Sequence, residues 1–338
     1  MINSEQRVNI KKKYKHMKYG LLNYIENQKY YNVGDNIQSL AAKQFLPKVD
    51  KYIDRETLAA YNDEEVKLIM NGWFIHNTAN WVPSDKIKPL FVSFHMNNTA
   101  APVMLSEKGI AYLKKYAPIG CRDQFTADTL NAKGIEAYFT GCLTLTLDTY
   151  KVDDSERGND IYVVDPLYSY PSHQKLFYSF RATVKSILTG KAFQLGKKDK
   201  HIKNFISEEL LKEAKFIDQE PLDTISDAEK FEIAEDILKK YAKAKLVITS
   251  RIHCALPCLA MGTPVIFVNG FDKFVDSCRF DGILELFNRI DVNTKTGEFT
   301  ANFPLKGKID KNTMVKNLGL HHKLAEPLKE KCRKFIAE

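Results

Sequence analysis

The chain has 338 residues, 44% hydrophobic and 27% charged, with a formal net charge of +8. That length exceeds one ordinary core and suits two domains of roughly 150 residues, and the composition excludes a disordered or fibrous chain. No run of about 18 apolar residues is present, so no segment is expected to span a bilayer.

The polar, basic start MINSEQRVNIKKKYKHMKYG lacks the apolar stretch of a secretory signal. Six cysteines, Cys121, Cys142, Cys254, Cys258, Cys278 and Cys332, lie in apolar contexts with no CxxC pair. They read as reduced core thiols of a cytoplasmic protein, with no metal expected. The positive surplus gathers in Lys11-Lys12-Lys13-Tyr14-Lys15 and over 191–203. A solvated basic face explains such runs, as does docking on an anionic membrane face or a pyrophosphate group. No nucleic-acid-binding module accompanies them, so no nucleic-acid partner is expected.

In chain order, 19–25 reads as a strand and 36–45 as a helix, followed by strands over 65–71 and 89–94. A helix is expected over 106–116, a short strand over 118–121, and a helix over 123–133 with Phe125 and Leu130 inward and Gly134 as its cap. The segment 135–140 returns as a strand. Single helices between strands imply a parallel, doubly wound sheet. Residues 151–160 are charged and aperiodic, which marks a domain boundary. The expected division is 1–155 for the first domain, 156–310 for the second, and 311–338 as an amphipathic helix packing back across both.

In the second half, 161–164 opens a new α/β unit and 172–209 reads as a long basic helical arm. Residues 216–218 form a strand candidate. A helix over 227–244 places Phe231, Ile233, Ala234, Ile237, Leu238 and Tyr241 on one face. The stretch 245–269, KLVITSRIHCALPCLAMGTPVIFVN, reads as strand, helix and strand, with Thr249-Ser250 as the cap and Gly262-Thr263-Pro264 as the stop. Arg251 and His253 fall where strand turns to helix, a place that favours an anion. The architecture is α/β, two Rossmann-like domains facing across a cleft, with the site at the carboxyl ends of the strands.

Three motifs carry a resemblance. They are Asn32-Val33-Gly34-Asp35-Asn36-Ile37; Gly120-Cys121-Arg122-Asp123 followed by Thr126, Leu130, Gly134 and Thr140-Gly141-Cys142; and Ser250-Arg251-Ile252-His253. In these the chain resembles the polysaccharide pyruvyl transferases, which move the enolpyruvyl carbons of phosphoenolpyruvate onto a sugar as a cyclic ketal. The family fold is of the GT-B type. The resemblance implies no cofactor, with phosphoenolpyruvate as co-substrate, and a hexose acceptor such as galactose on a lipid-linked oligosaccharide. It further implies work in capsule, exopolysaccharide or cell-wall polymer assembly at the inner face of the cell membrane.

By the same resemblance Arg251, His253 and the backbone at Ile252 hold the donor, with Arg122 reaching in from the first domain and Arg279 as a further phosphate contact. A donor with a carboxylate and a phosphate needs concentrated guanidinium charge. His253 is placed to relay a proton to the methylene carbon. Asp35 is placed to take one from an acceptor hydroxyl, or else to cap a helix. Asn32, Trp73, His76 and His95 are the acceptor-side candidates; Trp73 and Trp81 offer flat faces for a sugar or serve the core. Replacing Arg251 or His253 by alanine is expected to abolish turnover and leave the fold intact.

Two other readings remain open at this point. A nucleotide-sugar glycosyltransferase shares the scaffold but wants an acidic residue for the ribose near the donor loop, and none adjoins the Ser250–His253 turn in sequence. A non-catalytic sugar-binding protein would keep the scaffold without a reason to keep an arginine, a histidine and an aspartate together.

Overall fold

The computed structural model describes residues 17–24, 31–171, 176–177, 179–189, 192, 195–220, 226–271 and 278–338. The basic run 11–15 and the end of the 19–25 strand, Ile25, lie outside them, as do parts of the 172–209 arm and of the 191–203 run.

Among the described residues, twelve strands form two six-stranded sheets. The first holds β1 (Lys18–Asn23), β2 (Lys51–Asp54), β3 (Val66–Phe74), β4 (Ile87–Met96), β5 (Ile119–Cys121) and β6 (Ala137–Phe139), in the order 2-1-3-4-5-6. The second holds β7 (Ile161–Val164), β8 (Lys215–Ile217), β9 (Leu246–Thr249), β10 (Val265–Asn269), β11 (Asn288–Val292) and β12 (Phe299–Ala301), in the order 8-7-9-10-11-12. Counted from its own first strand, each sheet has the same order. All pairings are parallel except β11 with β12. These are two Rossmann-like domains, consistent with a GT-B-like architecture.

Among the described residues the α-helices longer than one turn are α1 (Val33–Lys43), α2 (Glu107–Lys115), α3 (Gln124–Asn131), α4 (Phe180–Leu188), α5 (Lys197–Phe205), α6 (Glu208–Glu213), α7 (Asp227–Ala242), α8 (Ile252–Met261) and α9 (His322–Ala337). The 172–209 arm is therefore not one helix among the described residues but falls into separate pieces. In α7 a capping box between Ser226 and Glu229 satisfies the first turn. The expected apolar face is buried there, with Ile233 partly so. Gly262 ends α8 in the left-handed region, at φ 74°. Of the segment 311–338, α9 takes up the part from His322 onward, and Lys67 Nζ donates to its Phe335 carbonyl at 2.7 Å, anchoring it on the first domain.

Thr249 and Ser250 do not cap α8. Arg251 occupies the cap position, and its side chain makes no capping hydrogen bond. The Thr249 hydroxyl accepts from Arg251 N at 2.9 Å. Ser250 Oγ donates to the Val268 carbonyl at 2.5 Å and accepts from Leu167 N at 2.8 Å, which ties the loop after β7 to β9 and β10.

Period-two alternation along the strands divides their side chains between three cores. Leu22, Leu68, Met70 and Phe91 face one outer core, and Ile161, Val163, Ile248 and Ile266 the other. Leu21, Ile69 and Val92 of the first sheet join Val164, Val247 and Phe267 of the second in a middle core. Helices α1, α7 and α8 fill it with Ile37, Leu40, Leu238, Tyr241, Ala255 and Leu259. The domains are thus joined by a shared apolar layer, where each fully buried large side chain contributes about 1.5–3 kcal/mol. Polar ties reinforce it: Val33 N donates to the Gln219 carbonyl at 2.9 Å, and Asn23 Nδ2 to Asp227 at 2.7 Å.

Candidate functional site

Strand order reverses between β1 and β3 in the first sheet and between β7 and β9 in the second. At such a reversal the connecting helices diverge to opposite faces and leave a crevice beyond the carboxyl ends of the strands. Here the two crevices open onto one cavity of about 300 Å³. Asn32 and Asp35 reach it from the chain after β1, Arg55 after β2, Trp73 and His76 from the end of β3, and Arg122 after β5. The second domain supplies Tyr168 after β7, Gln219 and Glu220 after β8, Arg251, Ile252 and His253 after β9, and Arg279.

Arg122, His253 and Arg279 each bring a buried polar atom without a partner among the described residues to one part of the wall, as Arg55 Nη1 does on the opposite part. Arg122 is 1% exposed, and its Nε has no hydrogen-bond partner among the described residues. Asp123 does not pair with it closely, since the nearest approach is 3.9 Å. Asp123 instead caps α3 through Thr126 N at 2.9 Å and meets His95 Nδ1 at 2.6 Å. Arg279 donates from Nη2 to the Tyr168 hydroxyl, and its Nε is likewise unpartnered among the described residues. His253 Nε2 is buried without a partner in the same sense. Burial holds the His253 imidazole well below its usual pKa, and Arg122, Arg279, Arg251 and His95 push in the same direction. It is neutral at neutral pH.

Arg251 is differently placed. Its Nε donates to Asp165 at 2.9 Å, its Nη1 to Glu220 at 2.7 Å, and its guanidinium lies 3.8 Å from the Tyr168 ring centre. Burial works against its charge, but Glu220 and Asp165 outweigh it and hold its pKa above the usual value. Two acids therefore do stand beside the Ser250–His253 turn, brought from other strands, but they hold Arg251. Asp165 adopts φ 44° to make this contact, a costly conformation for a residue with a side chain and one that clusters at functional loops.

On the opposite wall, Asn32 caps α1 by accepting from Gly34 N at 3.0 Å. Asp35 is not the cap; its Oδ1 accepts from Gln38 Nε2 at 2.9 Å, and its Oδ2 lies 3.7 Å from Arg55 Nη1. Burial raises the Asp35 pKa, with Arg55 and Arg122 opposing. Arg55 is 2% exposed, donates to Glu56 at 2.8 Å, and lies between the rings of Tyr24 and Trp73 at 4.6 and 5.0 Å. Trp73 packs against His76, ring centres 4.3 Å apart. His95 and Trp81 are not on the cavity wall. His95 is buried against Asp123, and Trp81 lies in the first-domain core, stacked on Phe94 and edge-on to Tyr112.

Sequence reasoning missed Arg55, Tyr168, Gln219 and Glu220. Arg55 follows directly on β2, so that strand was the signal for it.

Gly34 brings α1 close to His253 at the start of α8. A Cβ there would lie 3.0 Å from both Asn32 Oδ1 and His253 Nδ1 and 3.2 Å from His253 Cβ. In Gly34→Ala the helix gains about 1 kcal/mol of propensity, which offsets the strain, so the melting temperature should stay near that of the natural protein. Asn32 and the ring of His253 must give by a few tenths of an ångström, and kcat should fall about tenfold. Steady-state kinetics beside a thermal melt checks this; an unchanged kcat would remove His253 from the reaction.

A model of the polysaccharide pyruvyl transferase family matches residues 32–270, which contain all three sequence motifs and every cavity residue named above except Arg279. No curated protein matches the chain. Among solved structures, a functionally uncharacterised protein of Klebsiella pneumoniae is similar at 13% identity, with a TM-score of 0.41 over 84% of this chain and 95% of that one. No helix among the described residues is long and apolar enough to cross a membrane. The family match spans more than half of the sequence, and the chain belongs to the polysaccharide pyruvyl transferase family, whose activity is pyruvyl transfer.

Proposed function

We propose that the chain transfers the enolpyruvyl group of phosphoenolpyruvate to two hydroxyls of a hexose, galactose foremost, forming a pyruvate ketal and releasing phosphate. The acceptor belongs to a capsular, exopolysaccharide or cell-wall polymer or to its lipid-linked precursor, and the reaction runs on the cytoplasmic face of the membrane. The observation that carries this reading is the unspent trio of Arg122 Nε, Arg279 Nε and His253 Nε2 in one wall, beside the uncapped N-terminus of α8. Such a wall suits a small ligand with two anionic groups. Arg251, held by Asp165 and Glu220 through Nε and Nη1, serves as a positioning residue for Tyr168 and the turn.

In this reading the donor's charge offsets the arginines, so His253 takes up a proton as the donor binds. It then delivers that proton to the methylene carbon. Electron demand at the adjacent carbon draws the first hydroxyl oxygen, whose proton passes to Asp35, a stronger base for being buried. The second hydroxyl oxygen then bonds the same carbon, the carbon–oxygen bond to phosphate breaks, and phosphate leaves with the electron pair and the second hydroxyl proton. Trp73 and His76 give the sugar a flat apolar rest.

Calorimetric titration with phosphoenolpyruvate in two buffers of different ionisation enthalpy tests this. Saturable binding with proton uptake is expected. Affinity should fall as pH rises, because protonated His253 belongs to the complex and not to the free protein. Binding without a buffer dependence would remove His253 as the proton carrier. Binding of a nucleotide sugar in place of phosphoenolpyruvate would return the reading to a glycosyltransferase.

A further inference from the structure

Helix α4 is folded inside out. Its half-buried and buried positions are the small residues Ala182, Thr183 and Ser186. Phe180, Val184, Ile187 and Leu188 are 85, 40, 51 and 81% exposed, and none belongs to any of the three cores. At about 100° per residue these four fall on one stripe roughly 100° wide. Ordinary folding physics would turn that stripe inward, since each large apolar side chain left in water forgoes its burial. Arg181 and Lys185 fall beside the stripe on the same turns. The charge flanking it in sequence is one-sided: residues 166–198 hold six Lys and Arg and no Asp or Glu. A partner protein surface would ordinarily call for both signs, whereas an anionic lipid surface calls for this combination of apolar insertion and positive flank.

We infer that α4 is a membrane-docking helix that lays Phe180, Val184, Ile187 and Leu188 into the interface of an anionic bilayer, with Arg181 and Lys185 at the headgroups. Phe180 opens this helix twelve positions after Tyr168, a residue of the cavity wall. The inference stands apart from the transfer chemistry, because partitioning onto lipid is read with no substrate present.

The test is flotation of the full chain with phosphatidylcholine vesicles, with and without phosphatidylglycerol. The natural protein should float with the anionic vesicles and be released by high salt. The double variant Phe180→Ser/Leu188→Ser should partition about tenfold more weakly or worse, with unchanged melting temperature and unchanged phosphoenolpyruvate binding. A second variant, Arg181→Gln/Lys185→Gln, should lose most of the preference for anionic over neutral vesicles. Failure of the natural protein to float, or flotation unaltered in both variants, would overturn the inference. So would concentration-dependent dimerisation abolished by the serine pair, which would make a second copy of the chain the occupant of the stripe.

Discussion

Arg122→Met should lower kcat/KM by about a thousandfold, roughly 4 kcal/mol of transition-state stabilisation, without loss of folding stability. The argument rests on what surrounds the guanidinium. It is buried to 1% exposure, and the carboxylate next to it in sequence spends its oxygens on His95 and Thr126. Arg279 adds repulsion to the desolvation that already lowers the Arg122 pKa. A buried cation without a close counter-ion costs free energy in the unliganded protein. Methionine fills a similar volume and removes that cost, so its melting temperature should hold or rise. Steady-state kinetics and a thermal melt on the same preparation decide the matter. A variant that loses stability in step with activity would show Arg122 to be a structural residue.

Arg251→Ala should behave in the opposite way, losing about 3 kcal/mol of stability as well as turnover. Removing this side chain leaves Asp165 and Glu220 in a confined site without the cation that both contact. The side chain of Glu220 keeps 26% exposure, so water screens part of the cost and the low end of the range for a broken buried pair applies. Urea unfolding measures the loss. Adding Asp165→Asn to the alanine variant should recover part of it, because one stranded charge is then gone; no recovery would mean that the carboxylates were never the burden. The sequence-based expectation that Arg251→Ala leaves the fold intact is replaced by this one, and the sparing behaviour moves to Arg122.

The parallel α/β plan was legible because β3, β4, β9 and β10 are buried on both faces and read as continuous apolar runs. Three strands were not legible. β2 (KYID) and β12 (FTA) are short edge strands whose identity comes from pairing with a neighbour, and β11 (NRIDV) interleaves Arg289 and Asp291 with buried Ile290 and Val292. The donor turn was visible because an apolar strand stops abruptly at a polar run before a helix. The state of its arginine was not: its two carboxylate partners lie 86 and 31 residues away in sequence and meet it through the sheet order. Arg55 was lost together with β2, since a lone Arg-Glu pair after an unrecognised strand looks like surface charge.

The middle core bears on the order in which molecules can come and go. Side chains of both sheets and of α1, α7 and α8 interlock there, so swinging the halves apart would expose a continuous apolar layer at a cost far above that of releasing a small anion. Traffic must therefore pass through the mouth of a cavity whose shape is already set. Arg122 sits deep in that cavity, while His76 stands exposed at its rim. A sugar chain resting on Trp73 and His76 would close the way in behind it. The geometry thus favours a compulsory sequence, with the small phosphorylated molecule entering first, the polymer second, and phosphate leaving last, after the modified chain has cleared the entrance.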